Sequence, residues 1–271
     1  MSEKLPLIIE ANALEKHLQD NNIVIVDLSK KETWAQTHIP GAVYLEYPRI
    51  LHVEKPVMGL LPTTKELEQV LSSLGISNDT HVIAYDDEGG GKAARLLWTL
   101  DVIGHNAFSL LNGGLHAWAN EGHPLVSEIT SIKATQYHIQ DYGKASIDCA
   151  YILEHLEDSN IRLLDSRSPQ EFSGEKKFAK RGGHIPHAIN MDWILTMDQG
   201  NNLRFLPDDT LRSMLMERDI MPSNEVILYC QTHHRSSHTY ILLKHLGYEN
   251  IKGYTGAWSE WGNRADLPVE L

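Results

Sequence analysis

Residues 226–235 read Val-Ile-Leu-Tyr-Cys-Gln-Thr-His-His-Arg, and this stretch decides how the chain is interpreted. The apolar run 226–229 predicts a short buried strand. Across 236–246, apolar side chains recur at helical spacing, which predicts a helix. Cys230 therefore lies where a strand ends and a helix begins, a place where backbone N–H groups and the helix dipole stabilise a thiolate. Two histidines and an arginine follow within the next five residues, so we predict a reactive cysteine.

Charge is distributed unevenly around that cysteine. The 271-residue chain has a formal net charge of −12, which argues against nucleic acid and anionic membranes as partners. Residues 226–248 nevertheless contain no acidic residue, while Arg235, Lys244 and four histidines fall inside this stretch. An acidic protein with such a stretch is expected to receive an anion there.

The two cysteines and the first residues bear on the cellular compartment. Cys149 and Cys230 do not form a disulfide framework, which fits a reducing environment. The segment 1–6 lacks the apolar stretch of a secretory signal, and no apolar run approaches the roughly 20 residues that span a bilayer. We therefore expect a cytoplasmic location. Cys149 has no basic neighbours in sequence, and we interpret it as a structural residue.

The chain also repeats itself once. Four blocks recur in the same order at offsets between 138 and 146 residues, which is far longer than a solenoid repeat. The blocks are 25–27, 38–42, 82–86 and 111–118 in the first half, and 163–165, 184–188, 226–230 and 254–261 in the second. The change in offset places extra residues at about 174–183. Each copy is therefore predicted to be a domain.

Within each copy, short apolar strands alternate with helical stretches such as 64–74 and 92–100. This alternation predicts an α/β fold with a central, mainly parallel sheet flanked by helices in each domain. The polar stretch 126–143 is interpreted as a linker between domains at 1–125 and 144–271.

The internal copy gives a comparison for the cysteine loop. At the position of Cys230 the first half has Asp86, followed by Asp87, Glu88 and three glycines at 89–91. That loop has three carboxylates and no thiol, so it should repel anions. We predict that the first domain is catalytically silent.

These blocks resemble the rhodanese family of sulfurtransferases in its tandem form, with an inactive first domain and an active second one. The resemblance covers nearly the whole chain and rests on residues 165–167, 183–186, 230–235 and 256–261. It implies that the Cys230 thiolate attacks the outer sulfur of thiosulfate and that sulfite leaves. The resulting persulfide would pass its sulfur to cyanide or to a thiol acceptor, without a cofactor.

The resemblance also implies a site. Cys230 would be the catalytic residue, and the loop that binds the donor would consist of Gln231, Thr232, His233, His234 and Arg235. Arg235 would either bind the sulfonate end of the donor or brace the loop. Asp165 and Arg167 would form a supporting ion pair. Two positions depart from the thiosulfate sulfurtransferases of vertebrates, since Thr232 stands where those enzymes have a lysine and Glu171 where they have an arginine that contacts substrate.

Alternative activities remain open at this point. The donor could be 3-mercaptopyruvate, or the protein could be a persulfide carrier that delivers sulfur to partner proteins. Phosphatase chemistry is disfavoured, because related dual-specificity phosphatases have five residues between cysteine and arginine and this loop has four. His234 and His238 are four residues apart, but the carboxylates that often complete metal sites are missing nearby, so we expect no metal.

Overall fold

The computed structural model describes residues 5–142 and 145–271, which form two compact units. Unit 1 takes the chain up to Ile50, together with Pro62–Tyr142 and Met197–Phe205. Unit 2 takes Leu51–Leu61, the stretch that ends at Thr196, and Leu206–Leu271. Among the described residues, no helix has the length and apolar character needed to cross a membrane.

A five-stranded parallel sheet forms the centre of unit 1. Its strands are β1 (Ile8–Ile9), β2 (Ile23–Asp27), β3 (Val43–Tyr44), β6 (His81–Tyr85) and β7 (Phe108–Leu111). The strand order is β1-β7-β6-β2-β3. The four residues at the carboxyl-terminal end of β6 are buried, as expected for a strand covered on both faces.

The sheet of unit 2 has the same architecture. It contains β8 (Ser146–Ile147), β9 (Ile161–Asp165), β10 (Ile189–Asn190), β13 (Glu225–Tyr229) and β14 (Ile251–Tyr254). The order β10-β9-β13-β14-β8 corresponds strand by strand to the sheet of unit 1, and all pairs are parallel. The predicted fold class, two tandem α/β domains with parallel sheets, is confirmed.

Helices flank both sheets. In the first half they are α1 (Ala11–Leu14), α2 (Lys31–Gln36), α3 (Thr64–Ser73), α4 (Gly91–Val102) and α5 (Gly114–Asn120). In the second half they are α6 (Cys149–Glu154), α7 (Pro169–Phe172), α8 (Asp208–Met216), α9 (Arg235–His245) and α10 (Ala257–Trp261). Short 3₁₀ turns occur at Glu15–His17, Tyr47–Ile50 and Trp193–Thr196.

Two antiparallel hairpins group with the unit formed mainly by the other half of the chain. The pair β4 (His52–Glu54) and β5 (Val57–Leu60) belongs to unit 2, whereas β11 (Met197–Asp198) and β12 (Arg204–Phe205) belong to unit 1. The predicted boundaries at 1–125, 126–143 and 144–271 do not include this exchange. They stay a prediction, and residues 1–4, 143 and 144 lie outside the described residues.

The position of the cysteine loop follows from strand order. β13 is the middle strand of its sheet, so the loop after it emerges between β9 and β14 at the carboxyl-terminal edge. Ligand sites of open α/β sheets lie at this edge. Helix α9 begins directly after the loop and is buried from Ser236 through Leu243, which fixes the direction of the loop.

Candidate active site

Cys230 is the first residue after β13, and its side chain is fully buried. Burial opposes the charge of a thiolate, but the positive charge of Arg235 and the hydroxyl and N–H groups of the loop outweigh it. The pKa of the Cys230 thiol is therefore lowered from its ordinary value. The hydrogen bonds to sulfur come from the Ser236 hydroxyl and from the backbone N–H groups of Thr232 and Ser236. These groups therefore stabilise the thiolate form of Cys230 relative to the thiol.

His233 is turned into the protein. Its side chain is fully buried, and its Nδ1 lies 2.8 Å from Oγ of Ser236. The φ angle of His233 is +54°, a left-handed conformation that is uncommon for residues other than glycine and that turns the loop sharply. His233 thus orients the Ser236 hydroxyl, which in turn bonds the sulfur of Cys230. Sequence reasoning missed Ser236; its place in the first turn of the helix after the loop was the available signal.

Arg235 forms a bidentate ion pair with Glu171. Its Nη1 lies 2.7 Å from Oε2 and its Nη2 lies 2.8 Å from Oε1. Glu171 is only 4% exposed and is held by a capping box with Ser168 at the start of α7. Burial alone would raise the pKa of Glu171, but the hydrogen bonds and the charge of Arg235 lower it to about 2. The loop is free of carboxylates in sequence, yet Glu171 brings one to it in space.

Asp165 and Arg167 form the ion pair that the sequence suggests. Nε of Arg167 lies 2.9 Å from Oδ2 of Asp165, and both side chains are buried. Arg167 also donates to the carbonyl of Gly183 over 2.8 Å, and its guanidinium lies 4.5 Å from the ring centroid of Trp258. The N–H of Trp258 donates to the carbonyl of Cys230 over 2.9 Å. Trp258 therefore connects the ion pair to the active-site loop.

Gln231 and Thr232 connect the loop to its surroundings. Gln231 donates from Nε2 to the carbonyl of Phe178 over 3.2 Å, and its own carbonyl accepts the N–H of Ser259. Gly59 of β5 packs so closely on Thr232 that a Cβ at Gly59 would lie 2.2 Å from the Thr232 carbonyl oxygen. The loop is therefore held in place on two sides.

His234 and His238 both contact Trp193 through ring edges. The centroid distances to the Trp193 ring are 6.2 Å for His234 and 5.3 Å for His238. His238 is buried, whereas His234 is partly exposed at the beginning of α9. Within residues 5–142 and 145–271, no group of three or more metal-ligating side chains comes together.

The corresponding loop of unit 1 is closed on itself. Oδ1 of Asp86 accepts the N–H groups of Glu88 and Gly90 at 3.0 and 2.8 Å, and Oδ2 accepts that of Ala93 at 2.9 Å. Lys92 pairs with Glu88 at 3.1 Å. A carboxylate of the protein itself thus takes the backbone donors of this loop.

Known proteins share this architecture over the full chain. The model of the rhodanese-like domain matches residues 10–121 and again residues 148–264. A thiosulfate sulfurtransferase of Azotobacter vinelandii is 41% identical, and one of Pseudomonas aeruginosa is 40% identical, each over 98% of both chains. The sulfur carrier protein TtuD of Thermus thermophilus is 32% identical over 97% of this chain and 96% of its own.

Among solved structures, wild-type EanB superimposes with a TM-score of 0.86 over 97% of this chain and 69% of its own. At 21% identity this likeness shows the fold alone. The chain belongs to the rhodanese family, with the domain present twice. Its reaction class is sulfur transfer.

Proposed function

We propose that Cys230 carries the sulfur, that thiosulfate is the donor, and that unit 1 is catalytically silent. The observation that carries this proposal is the buried Cys230 thiol, whose pKa is lowered by Arg235 and by donors of the loop. The relatives from Azotobacter vinelandii and Pseudomonas aeruginosa are thiosulfate sulfurtransferases, which supports the same donor here. Unit 1 has Asp86 at the position of Cys230, so its loop lacks a nucleophilic thiol, which supports the proposal that unit 1 is silent.

The reaction consists of two displacements. The Cys230 thiolate attacks the outer sulfur of thiosulfate, the sulfur–sulfur bond of the donor breaks, and sulfite leaves with the electron pair. Cyanide or a thiolate then attacks the terminal sulfur of the persulfide, and the bonding pair returns to Cys230. Both forms of the cysteine bear a negative charge, which the Ser236 hydroxyl and the N–H groups of Thr232 and Ser236 stabilise.

Arg235 braces the loop in this proposal. Its guanidinium is taken up by both oxygens of Glu171, so its charge acts on the sulfur through position rather than by direct capture of the sulfonate. We assign contact with the donor to Thr232 and His234, which are both partly exposed. A cytoplasmic location remains part of the proposal, because two cysteines that form no disulfide fit a reducing compartment.

Thiocyanate formation from thiosulfate and cyanide tests the assignment. We expect Cys230→Ala to reduce it by about a thousandfold or more, as for removal of a covalent nucleophile. Cys149→Ala is the matched control and should retain activity, because burial and Glu260 raise the pKa of Cys149 to about 11. Thiocyanate formation by Cys230→Ala at the wild-type rate would overturn the proposal.

A second candidate donor is 3-mercaptopyruvate, and the carrier relative favours a third arrangement in which a protein accepts the sulfur. Initial rates with the two donors at equal concentration separate the first pair. A faster rate with thiosulfate is expected, and a faster rate with 3-mercaptopyruvate would reassign the donor while leaving Cys230 in place.

A further inference from the structure

The catalytic half contains a segment that the first half lacks. From Asp27 to His38 the chain advances 11 positions, whereas from Asp165 to His184 it advances 19. The eight additional residues include the run Glu-Lys-Lys-Phe-Ala-Lys-Arg at 175–181, which we call the basic segment. A segment present only beside the reactive cysteine is expected to serve that site.

The basic segment is fixed against the active-site loop. The carbonyl of Phe178 accepts a hydrogen bond of 3.2 Å from Nε2 of Gln231, the residue after the catalytic cysteine. The N–H of Lys180 bonds Asn263 at 3.1 Å, and that of Arg181 bonds the Gly262 carbonyl at 3.0 Å. Arg181 also donates to the carbonyls of Trp261 and Leu267 over 2.8 and 2.6 Å. The segment is therefore a preorganised surface within unit 2.

Its side chains present charge and an aromatic ring to solvent. Lys176, Lys177 and Lys180 are exposed, in a protein whose net charge is −12. The Phe178 side chain is 55% exposed, and the Lys176 ammonium lies 4.9 Å from its ring centroid. Further along the same unit, Ile194 and Leu195 are each 47% exposed in the 3₁₀ turn that places Trp193 against His234.

We infer that the basic segment docks an acidic, cysteine-bearing segment of a partner protein, which accepts the sulfur from Cys230. This inference rests on the proposed function. Three lysines on a strongly acidic molecule select an anionic partner surface by charge complementarity. A small anion needs no exposed phenylalanine beside the lysines, whereas a protein interface uses such an aromatic side chain.

The transfer itself is balanced without an oxidant. The partner thiol loses its proton to solvent, and its thiolate attacks the terminal sulfur of the Cys230 persulfide. The sulfur–sulfur bond on Cys230 breaks, and its electron pair returns to the Cys230 thiolate. The partner cysteine then carries the persulfide, and the basic segment acts only by raising the local concentration of the acceptor.

Two synthetic peptides provide the test. One carries a single cysteine flanked by glutamates, and the other has glutamines in their place. The protein is loaded with thiosulfate, freed of donor and mixed with either peptide, and the loss of one sulfur from its intact mass is followed with time. We expect transfer to the glutamate peptide to be about fivefold faster at low ionic strength. The difference should disappear when salt shortens the screening length to about 8 Å or less.

Charge-neutral variants assign the effect to the segment. Lys176→Gln/Lys177→Gln/Lys180→Gln should abolish the preference for the glutamate peptide. The matched control is Lys16→Gln/Lys30→Gln/Lys31→Gln, which removes three exposed lysines of unit 1 and should keep the preference. Phe178→Ser should slow sulfur transfer to both peptides by a similar factor. Unchanged transfer rates in that variant would show that Phe178 does not contribute to docking.

Two results would overturn the inference. Equal rates with the two peptides would show that the segment does not select acidic acceptors. The second result is a loss of thiosulfate–cyanide turnover in the Lys176→Gln/Lys177→Gln/Lys180→Gln variant that is as large as its loss of transfer to the glutamate peptide. The lysines would then attract the small donor rather than a protein acceptor. If thiosulfate fails to load Cys230, the proposed function fails by itself; polysulfide then supplies the persulfide, and the peptide comparison is made unchanged.

Discussion

The loops at 86–91 and 230–235 occupy the same place in two matching sheets, directly after β6 and β13. In the first, the Asp86 carboxylate accepts three backbone N–H groups. In the second, the Cys230 sulfur receives the N–H groups of Thr232 and Ser236. Both loops are built to hold a negative charge. The difference lies in which atom bears the charge. A thiolate sulfur can form and break a sulfur–sulfur bond, whereas a carboxylate oxygen cannot.

The cations of the two loops also differ. Lys92 pairs with Asp87 and Glu88 of its own loop, so carboxylates surround it. Arg235 is held by Glu171, which comes from α7 outside the loop, and its charge still lowers the pKa of Cys230. The cysteine alone therefore does not make the site. We propose that the surrounding charges, as well as the cysteine, distinguish the active copy from the silent one.

The largest expected effect comes from moving the cysteine between the loops. Asp86→Cys combined with Cys230→Ala should be as inactive as Cys230→Ala alone, about a thousandfold below the wild type. Glu88 and Asp87 remain beside the new thiol and oppose its ionisation. Thiocyanate formation checks this, with the melting transition as a control for folding. A double variant that exceeds Cys230→Ala by tenfold would break the comparison.

The next effect concerns Glu171. Because its pKa is about 2 in the folded protein and 4.5 ordinarily, it stabilises the fold above about pH 4.5, and this stability is lost as pH falls towards 2. Glu171→Gln should lower the free energy of unfolding at neutral pH by about 3 kcal/mol. It should also remove that part of the pH dependence.

Denaturant titrations at several pH values measure both quantities. Ser168→Ala is the control, since it removes the cap of α7 while Glu171 can still bind Arg235, and it should cost about 1 kcal/mol. We expect sulfur transfer by Glu171→Gln to fall by roughly tenfold, because Arg235 is no longer positioned. If Glu171→Gln were as stable as the wild type at every pH from 7 down to 2, the account would be contradicted.

The smallest effect separates two neighbouring serines. Ser236→Ala removes a hydroxyl that bonds the Cys230 sulfur, so the pKa of the thiol should rise. Its alkylation rate at neutral pH should fall by roughly threefold. Ser237→Ala is matched in size and burial, but its hydroxyl bonds the His233 carbonyl at 2.6 Å. Alkylation rate against pH should shift for the first variant only; a common shift would remove the special role of Ser236.

Local features of the loop could be predicted from sequence. The strand at 226–229 is observed as Glu225–Tyr229, and the helix at 236–246 as Arg235–His245. Their periodicity is set by neighbours in the chain, and so it can be read from the residues alone. The alternation of strands and helices predicted the parallel sheet, and the duplication predicted its repetition, because matched blocks imply matched strands.

Contacts between distant residues could not be predicted in the same way. Glu171 and Arg235 are 64 residues apart, and pairing them requires α7 to be placed beside the loop. The burial of His233 depends on its φ of +54°, whereas the first copy has Gly89 at the corresponding position with φ +96°. The approach of Gly59 to Thr232 depends on a hairpin from the other half of the chain.

Mass spectrometry of peptides after incubation with thiosulfate tests the central claim most directly. The account predicts one added sulfur atom on the peptide that contains Cys230, none on the peptide that contains Cys149, and release of that sulfur as thiocyanate when cyanide is added. Sulfur bound to Cys149, or thiocyanate formed while Cys230 never carries the added sulfur, would contradict it.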